Sequence, residues 1–145
     1  MNTENKLRWT DVWLLVALYY CGQRNQMRLK DAIAAADAIN HAVMNYEELS
    51  SALVRLEKKG LIIVETVPWG AICTDAASKI LYPIAARNSI ALRVCQEAEK
   101  ILGVQPWSPK EPLPHPENNH IYPEFSHEVY EKEVSEYLAD MGVKN

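Results

Sequence analysis

Cysteine is scarce and odd in number: Cys21, Cys73 and Cys95 are the three the chain carries, and no CxxC pair occurs. That count argues against a disulfide framework and against a cysteine zinc site, and makes reduced thiols the expectation. Each thiol lies in an apolar run ("YYCG", "AICT", "RVCQ"), where packing is the default and redox sensing would need a lowered thiolate pKa. Long hydrophobic stretches are missing as well. The strongest, Val12 to Cys21, falls far below the roughly 20 residues that span a bilayer, so no membrane partner is expected. The opening "MNTENKLRWTD" has Glu4 early and no small-residue cleavage site after an apolar run, which argues against a secretory leader. Together these features point to the cytoplasm. Glycine-rich phosphate loops, nucleophile-elbow patterns and internal repeats are absent too, so enzyme chemistry finds little support and no cofactor is implied.

Positive charge is the other shortage. Residues 1–75 hold eight Lys/Arg against nine Asp/Glu, residues 76–110 five against two, and residues 111–145 two against eight. An acidic tail thus follows a nearly neutral body. Phosphate contacts supply much of the affinity of a DNA-binding domain, which usually carries a basic balance. This chain lacks that footprint and leaves room only for a local patch. Its 145 residues, 48% apolar and 23% charged, otherwise describe one soluble globular domain with room for an appendage.

Helical signals dominate what is present. "TDVWLLVALYYCG", residues 10–22, reads as a first helix with Thr10 as N-cap, Asp11 in the first turn and Gly22 as the stop. Leu14, Ala17, Leu18 and Cys21 have core spacing, but Val12, Leu15, Val16, Tyr19 and Tyr20 make the other faces apolar too. A helix apolar all round is buried on more than one side, and a second copy of the chain is one way to cover it. After "QRNQMR" comes an Ala-rich helix, "LKDAIAAADAINHAVM", with Ile33, Ala36, Asn40 and Val43 on one face. Asn45 opens a third helix, and Glu48 three residues on makes a variant capping box. Tyr46, Leu49, Leu53 and Leu56 form its inward stripe, and Gly60 ends it. "LIIVETV", the turn "PWG" and "AICT" predict a hairpin. Helix resumes from a Thr74 or Asp75 cap, with a break near Pro83 or Asn88, and runs on through "NSIALRVCQEAEKILG". Six of the eight prolines fall between residues 104 and 125, which reads as an extended arm. Ser126 caps a last helix whose Val129, Val134, Tyr137, Leu138 and Met141 make an amphipathic face.

"ALVRLEKKGLI" and "TDAASKIL" resemble the "L..LE..GLI" and "LT..G..L" signatures of winged-helix regulators such as the MarR and PadR families, over about residues 8–85. The resemblance implies a mainly α fold with a small β-hairpin: a winged helix-turn-helix domain at residues 8–87. A helix at 88–103 available for dimerisation, the arm at 104–125 and an amphipathic C-terminal helix at 126–142 extend it. Two departures stand out: the wing tip is Val67-Pro68-Trp69-Gly70 where basic residues are common, and Ser78 replaces a usual glycine.

The implied function is a transcriptional regulator that binds double-stranded DNA with the third helix in the major groove. Ser51 and Arg55 would contact bases or phosphate, and Lys58 and Lys59 would hold phosphates. Arg28 and Lys30, with Arg24, would reach the backbone from the link before the second helix, a stretch that reads equally as a solvated loop. Trp69 would stack or insert at the wing tip, or seal against a neighbouring chain. Glu47 and Glu48 oppose DNA at that helix tip, although in a first turn they favour the helix dipole by roughly 0.3–1 kcal/mol. A homodimer through the first helix and the C-terminal helices is expected. The alternative is a winged-helix module that binds protein. His115, His120 and His127, with Glu117 and Glu124, invite a metal reading, but their spacing matches neither HExxH nor a zinc finger, and no metal is expected. Glu128, Glu131, Glu133 and Glu136, dispersed round the last helix, read as a wet face.

Overall fold

The computed structural model describes residues 6–104, 122 and 124–142. Six helices and one hairpin follow in the order α1 (Trp9–Gln23), α2 (Leu29–Asn40), α3 (Tyr46–Lys58), β1 (Ile62–Thr66), β2 (Trp69–Cys73), α4 (Asp75–Arg87), α5 (Ala91–Leu102) and α6 (His127–Asp140). Among the described residues the chain is mainly helical with one small antiparallel hairpin.

α1 is the axis of the core. It packs against α2, α3, β2, α5 and α4, so its apolar faces all find cover within the chain. Val12, Leu14, Leu15, Val16 and Ala17 are wholly buried. The reason for pairing two copies through this helix therefore falls: one chain supplies enough neighbours to enclose it. The helix also starts earlier than expected. Trp9 is its first residue and Arg8 the cap position; Thr10 lies inside the first turn, buried, and is not the N-cap. The Asp11 carboxylate closes that end by accepting the Arg8 backbone N–H at 2.9 Å.

α2 presents Leu29, Ala32, Ile33 and Ala36 to α1. It ends at Asn40 because His41 takes a left-handed conformation at φ 54°. That stop moves Val43 out of the expected stripe and into solvent, and Met44 is buried in its place. α3 starts as the sequence predicts: the Asn45 side chain accepts the Glu48 N–H at 2.7 Å, and the Glu48 carboxylate accepts the Asn45 N–H at 2.9 Å. Leu49, Leu53 and Leu56 are fully buried. At the far end Gly60 sits at φ 74° and donates to Glu57, while Leu61 donates back to the Leu56 carbonyl, which satisfies carbonyls left open by the last turn.

The hairpin pairs Ile62 with Cys73 through Thr66 with Trp69, leaving Val67 and Pro68 as its turn. A short bridge from the link before α2 adds to it: Ala71 donates to the Met27 carbonyl at 3.0 Å, and Arg28 bridges Gly70. This is why residue 70 is glycine. A Cβ there would stand 1.9 Å from the Met27 oxygen. α4 begins from the Thr74 cap, passes through Pro83 unbroken and stops at Arg87, so the expected break falls at Asn88 and not at the proline. α5 folds back on α4. α6 starts from the Ser126 cap and packs on α2; Tyr137 is buried and Val129, Val134 and Leu138 half-buried, whereas Met141 is exposed. No helix among the described residues is long and apolar enough to cross a membrane.

Candidate functional site

α3 is the helix on which the groove-reading expectation rests, and nearly all of it is interior. Every residue from Glu48 to Leu56 is buried. Leucines at 49, 53 and 56 account for one side. On the opposite side Arg55 meets the N-terminus of α1, and the two ends of the helix, at Tyr46 and Glu57, meet Phe125, Tyr130 and Tyr122.

The α1 contact decides the fate of Arg55. Its Nε donates to Asp11 Oδ2 at 2.7 Å and its Nη2 to Asp11 Oδ1 at 3.2 Å, a two-pronged pair in which both side chains are enclosed. Burial pushes the Asp11 carboxyl up, and the Arg55 guanidinium beside it pulls the other way. Ser51, one turn earlier, has no exposed surface. Neither residue is placed to touch a DNA base, and both correct the expectation that they point into water.

The second cover is aromatic. The Tyr46 ring stacks on Phe125 at 5.6 Å and on His127 at 3.8 Å, and meets Tyr130 edge-on at 6.1 Å. Its hydroxyl donates to the Phe125 carbonyl at 2.8 Å. Trp69 belongs to the same cluster. It opens β2 rather than capping the turn, and lies under Phe125 and Tyr122 with centroids at 5.0 and 5.9 Å. It is only 9% exposed, so the expected free wing-tip tryptophan is an internal contact. Tyr122 donates to the Glu57 carboxylate, which also takes the Val64 N–H at 3.1 Å. The end of α3, the hairpin and the residues before α6 are thereby tied together.

An ionic contact joins α6 to the start of α2. Arg28 Nη2 bonds Glu133 at 2.8 Å and Glu136 at 2.7 Å, and Lys30 bonds Asp140 at 3.0 Å. Glu133, Glu136 and Asp140 recur at the three- and four-residue steps that keep one helix face, so α6 turns a row of carboxylates onto the two cations of α2. These were expected to reach phosphates or to lie in a solvated loop; instead they hold the acidic helix. The wet-face reading of α6 is likewise corrected: Glu128 and Glu131 are exposed, but Glu133 is buried and Glu136 is paired. Burial raises the Glu133 carboxyl, with Arg28 opposing. Tyr130 donates to the Met44 carbonyl at 2.5 Å and Tyr137 to Asp37 at 2.5 Å, and burial and that bond push the Tyr137 phenol up to about 12.

Of the expected contact residues Lys58 and Lys59, at the far end of α3, and Arg24, before α2, are exposed. The others are brought to one region, but as parts of an internal interface. Sequence reasoning missed Asp11 as partner of Arg55 and missed Tyr122, Phe125 and Tyr130 altogether. The available signal was the run of aromatics interleaved with carboxylates after residue 121.

Two other features bear on chemistry. Burial pushes the thiols of Cys21 up to about 11 and of Cys73 and Cys95 up to about 12, which suppresses the thiolate. His127 is exposed and stacked on Tyr46, and Glu124 is exposed; His115, Glu117 and His120 lie outside the described residues, among which no His/Cys/Asp/Glu group could hold a metal ion. Separately, an open cleft of about 510 Å³ is lined by Trp9, Trp13, Asn40, Leu92, Cys95, Gln96 and Glu99. Compared with protein-family models, curated proteins and solved structures, the chain gives no match.

Proposed function

We propose that this chain is a winged-helix-type module that engages another protein, not a reader of DNA. The element order, three helices then a hairpin then a helix, supports the winged-helix reading. The observation that carries the functional half is the cover on α3. Ser51 and Arg55, the residues expected to meet bases, are enclosed, with Arg55 held against Asp11, while Arg28 and Lys30 are paired with carboxylates of α6. A groove reader needs that surface open and positive. Here its middle is enclosed, and two of the cations beside it are already paired with acid.

The setting is cytoplasmic in this reading, and the activity is binding and not catalysis, in keeping with three thiols raised by burial. Self-association, if it contributes, uses the α4–α5 hairpin, where Tyr82, Ile90, Leu92 and Ile101 remain exposed. Sedimentation giving only the 16.5 kDa species at micromolar concentration removes that part.

The test of the main reading is titration of the full chain with mixed-sequence duplex DNA at low salt. The expected result is no salt-sensitive binding. Phosphate contacts make affinity fall steeply as salt rises, so a steep fall, and its loss in Lys58→Ala/Lys59→Ala, would reinstate the DNA reader.

A further inference from the structure

Among the described residues, three buried side-chain polar atoms lack a hydrogen-bond partner, and two of them, Arg28 Nε and Glu133 Oε1, belong to one contact. A buried polar atom left unsatisfied costs free energy comparable to a lost hydrogen bond. The clamp between α2 and α6 is thus an imperfect fit, in contrast to Asp11 and Arg55, whose pair is two-pronged.

The rest of the tail contact has the same loose character. Of the described tail residues, only Phe125, Glu133 and Tyr137 are buried. Val129, Val134 and Leu138 pack on the body only half-buried, and the polar links are tips of side chains: Tyr122 on Glu57, Tyr130 on the Met44 carbonyl, Tyr46 on the Phe125 carbonyl, Lys30 on Asp140. Water replaces such bonds at little cost when a surface opens. Every buried leucine and isoleucine among the described residues lies between residues 7 and 84, before the tail. The groove beneath the tail is also built for this chemistry. One end is an aromatic slot, Tyr46 and Trp69; the other carries Arg28 and Lys30, facing carboxylates at matched helical spacing.

We propose that the segment from Tyr122 to Met141 is an exchangeable intramolecular ligand, and that the groove it fills is a docking site for an acidic, tyrosine-bearing helix of a second protein. This rests on the protein-interaction reading above and names the partner's chemistry: an aromatic pair, then a helix with carboxylates three and four residues apart on one face. A tethered ligand competes at an effective concentration of order millimolar, so the cover sets a threshold that only a better-fitting helix passes. A partner that satisfies both Arg28 Nε and its own carboxylates gains what the chain's own clamp leaves unmade.

The probe is a fluorescent synthetic peptide spanning residues 122–142, titrated into the full-length chain and read by anisotropy. The opened variant is Phe125→Ala/Glu136→Gln/Asp140→Asn. Expected is binding to the variant at least about tenfold tighter than to wild type, because the internal competitor is weakened, and loss of that gain when Arg28→Gln is added. Equal binding to both chains, or no binding to a variant whose circular dichroism matches wild type, overturns the proposal while leaving the protein-interaction reading in place. Salt-sensitive binding of duplex DNA by the opened variant overturns both, since the tail would then be hiding a nucleic-acid surface. Should the variant fail to fold, hydrogen exchange on wild type decides. α6 amides exchanging through local opening, well before those of α1, support an exchangeable tail; α6 amides exchanging only with α1, in global unfolding, refute it.

Discussion

Replacing Arg55 by methionine isolates what that arginine does. The substitution leaves the Asp11 carboxylate enclosed with no guanidinium; it keeps the Arg8 backbone N–H as a partner. Breaking a buried ion pair by removing one member costs about 3–5 kcal/mol, whereas replacing both members with apolar groups of similar volume is often close to neutral. For a chain of this size each kcal/mol lowers the melting temperature by roughly 2–4 °C, so Arg55→Met should melt on the order of 10 °C early near neutral pH. Asp11→Leu/Arg55→Met should recover most of that, less about 1 kcal/mol for the lost bond at the helix start. The loss should also depend on pH. Burial already raises the Asp11 carboxyl above its ordinary 3.8, and Arg55 is the main group opposing that rise. Without it the folded-state value climbs further. A carboxyl raised on folding contributes stability that is present below its unfolded value and lost as pH rises through the folded one. The deficit of Arg55→Met against wild type should therefore shrink toward the ordinary carboxyl range and grow as pH rises above it. Thermal melts and urea titrations across pH, on wild type, both single variants and the double, supply the cycle. An outward-facing arginine on an exposed helix costs under about 0.5 kcal/mol to remove. A loss below about 1 kcal/mol, or one flat with pH, would refute the buried-pair reasoning.

Other outcomes follow from single contacts. Gly70→Ala sets a Cβ against the Met27 carbonyl, 1.9 Å from its oxygen, and both atoms are backbone-held. It should cost roughly 1–3 kcal/mol in a urea titration; an unchanged midpoint would mean the α2 link does not lie on β2. Glu133 is raised on folding, so its contribution is full below its ordinary 4.5 and falls as pH rises. Wild type should lose stability relative to Glu133→Gln as pH rises above that value, and the opposite slope would contradict burial of that carboxyl. Lys58→Ala/Lys59→Ala removes two exposed side chains and should shift the melt by less than about 0.5 kcal/mol. Cys95, raised to about 12, should react with a thiol reagent at neutral pH only after denaturant is added.

Local grammar was legible in the chain. Asn45 and Glu48 cap α3 because the box closes within one turn; Gly60, Thr74 and Ser126 stop or start helices for equally local reasons. Leu49, Leu53 and Leu56 face inward because helical spacing and hydrophobicity suffice to orient them. The failures have one form. Ser51 and Arg55 are polar and lie off the leucine stripe, so they read as outward; Trp69, next to a turn, read as a tip. In each case the side opposite the obvious core is covered by something distant. The Arg55 partner is 44 residues away and the Arg28 partner Glu133 is 105 away. Periodicity reports that a helix has an apolar face; it carries no information about what lies against the other.

From residue order alone came the helices, the hairpin, the caps that start α3, α4 and α6, and the acid concentrated after residue 110, because hydrogen bonds within a turn and charge along a chain are set by near neighbours. Tertiary structure alone decided which polar residues are surface. Burying a charge requires a partner of opposite sign at bonding distance, and only the folded chain brings Asp11 to Arg55 and the carboxylates of α6 to Arg28 and Lys30.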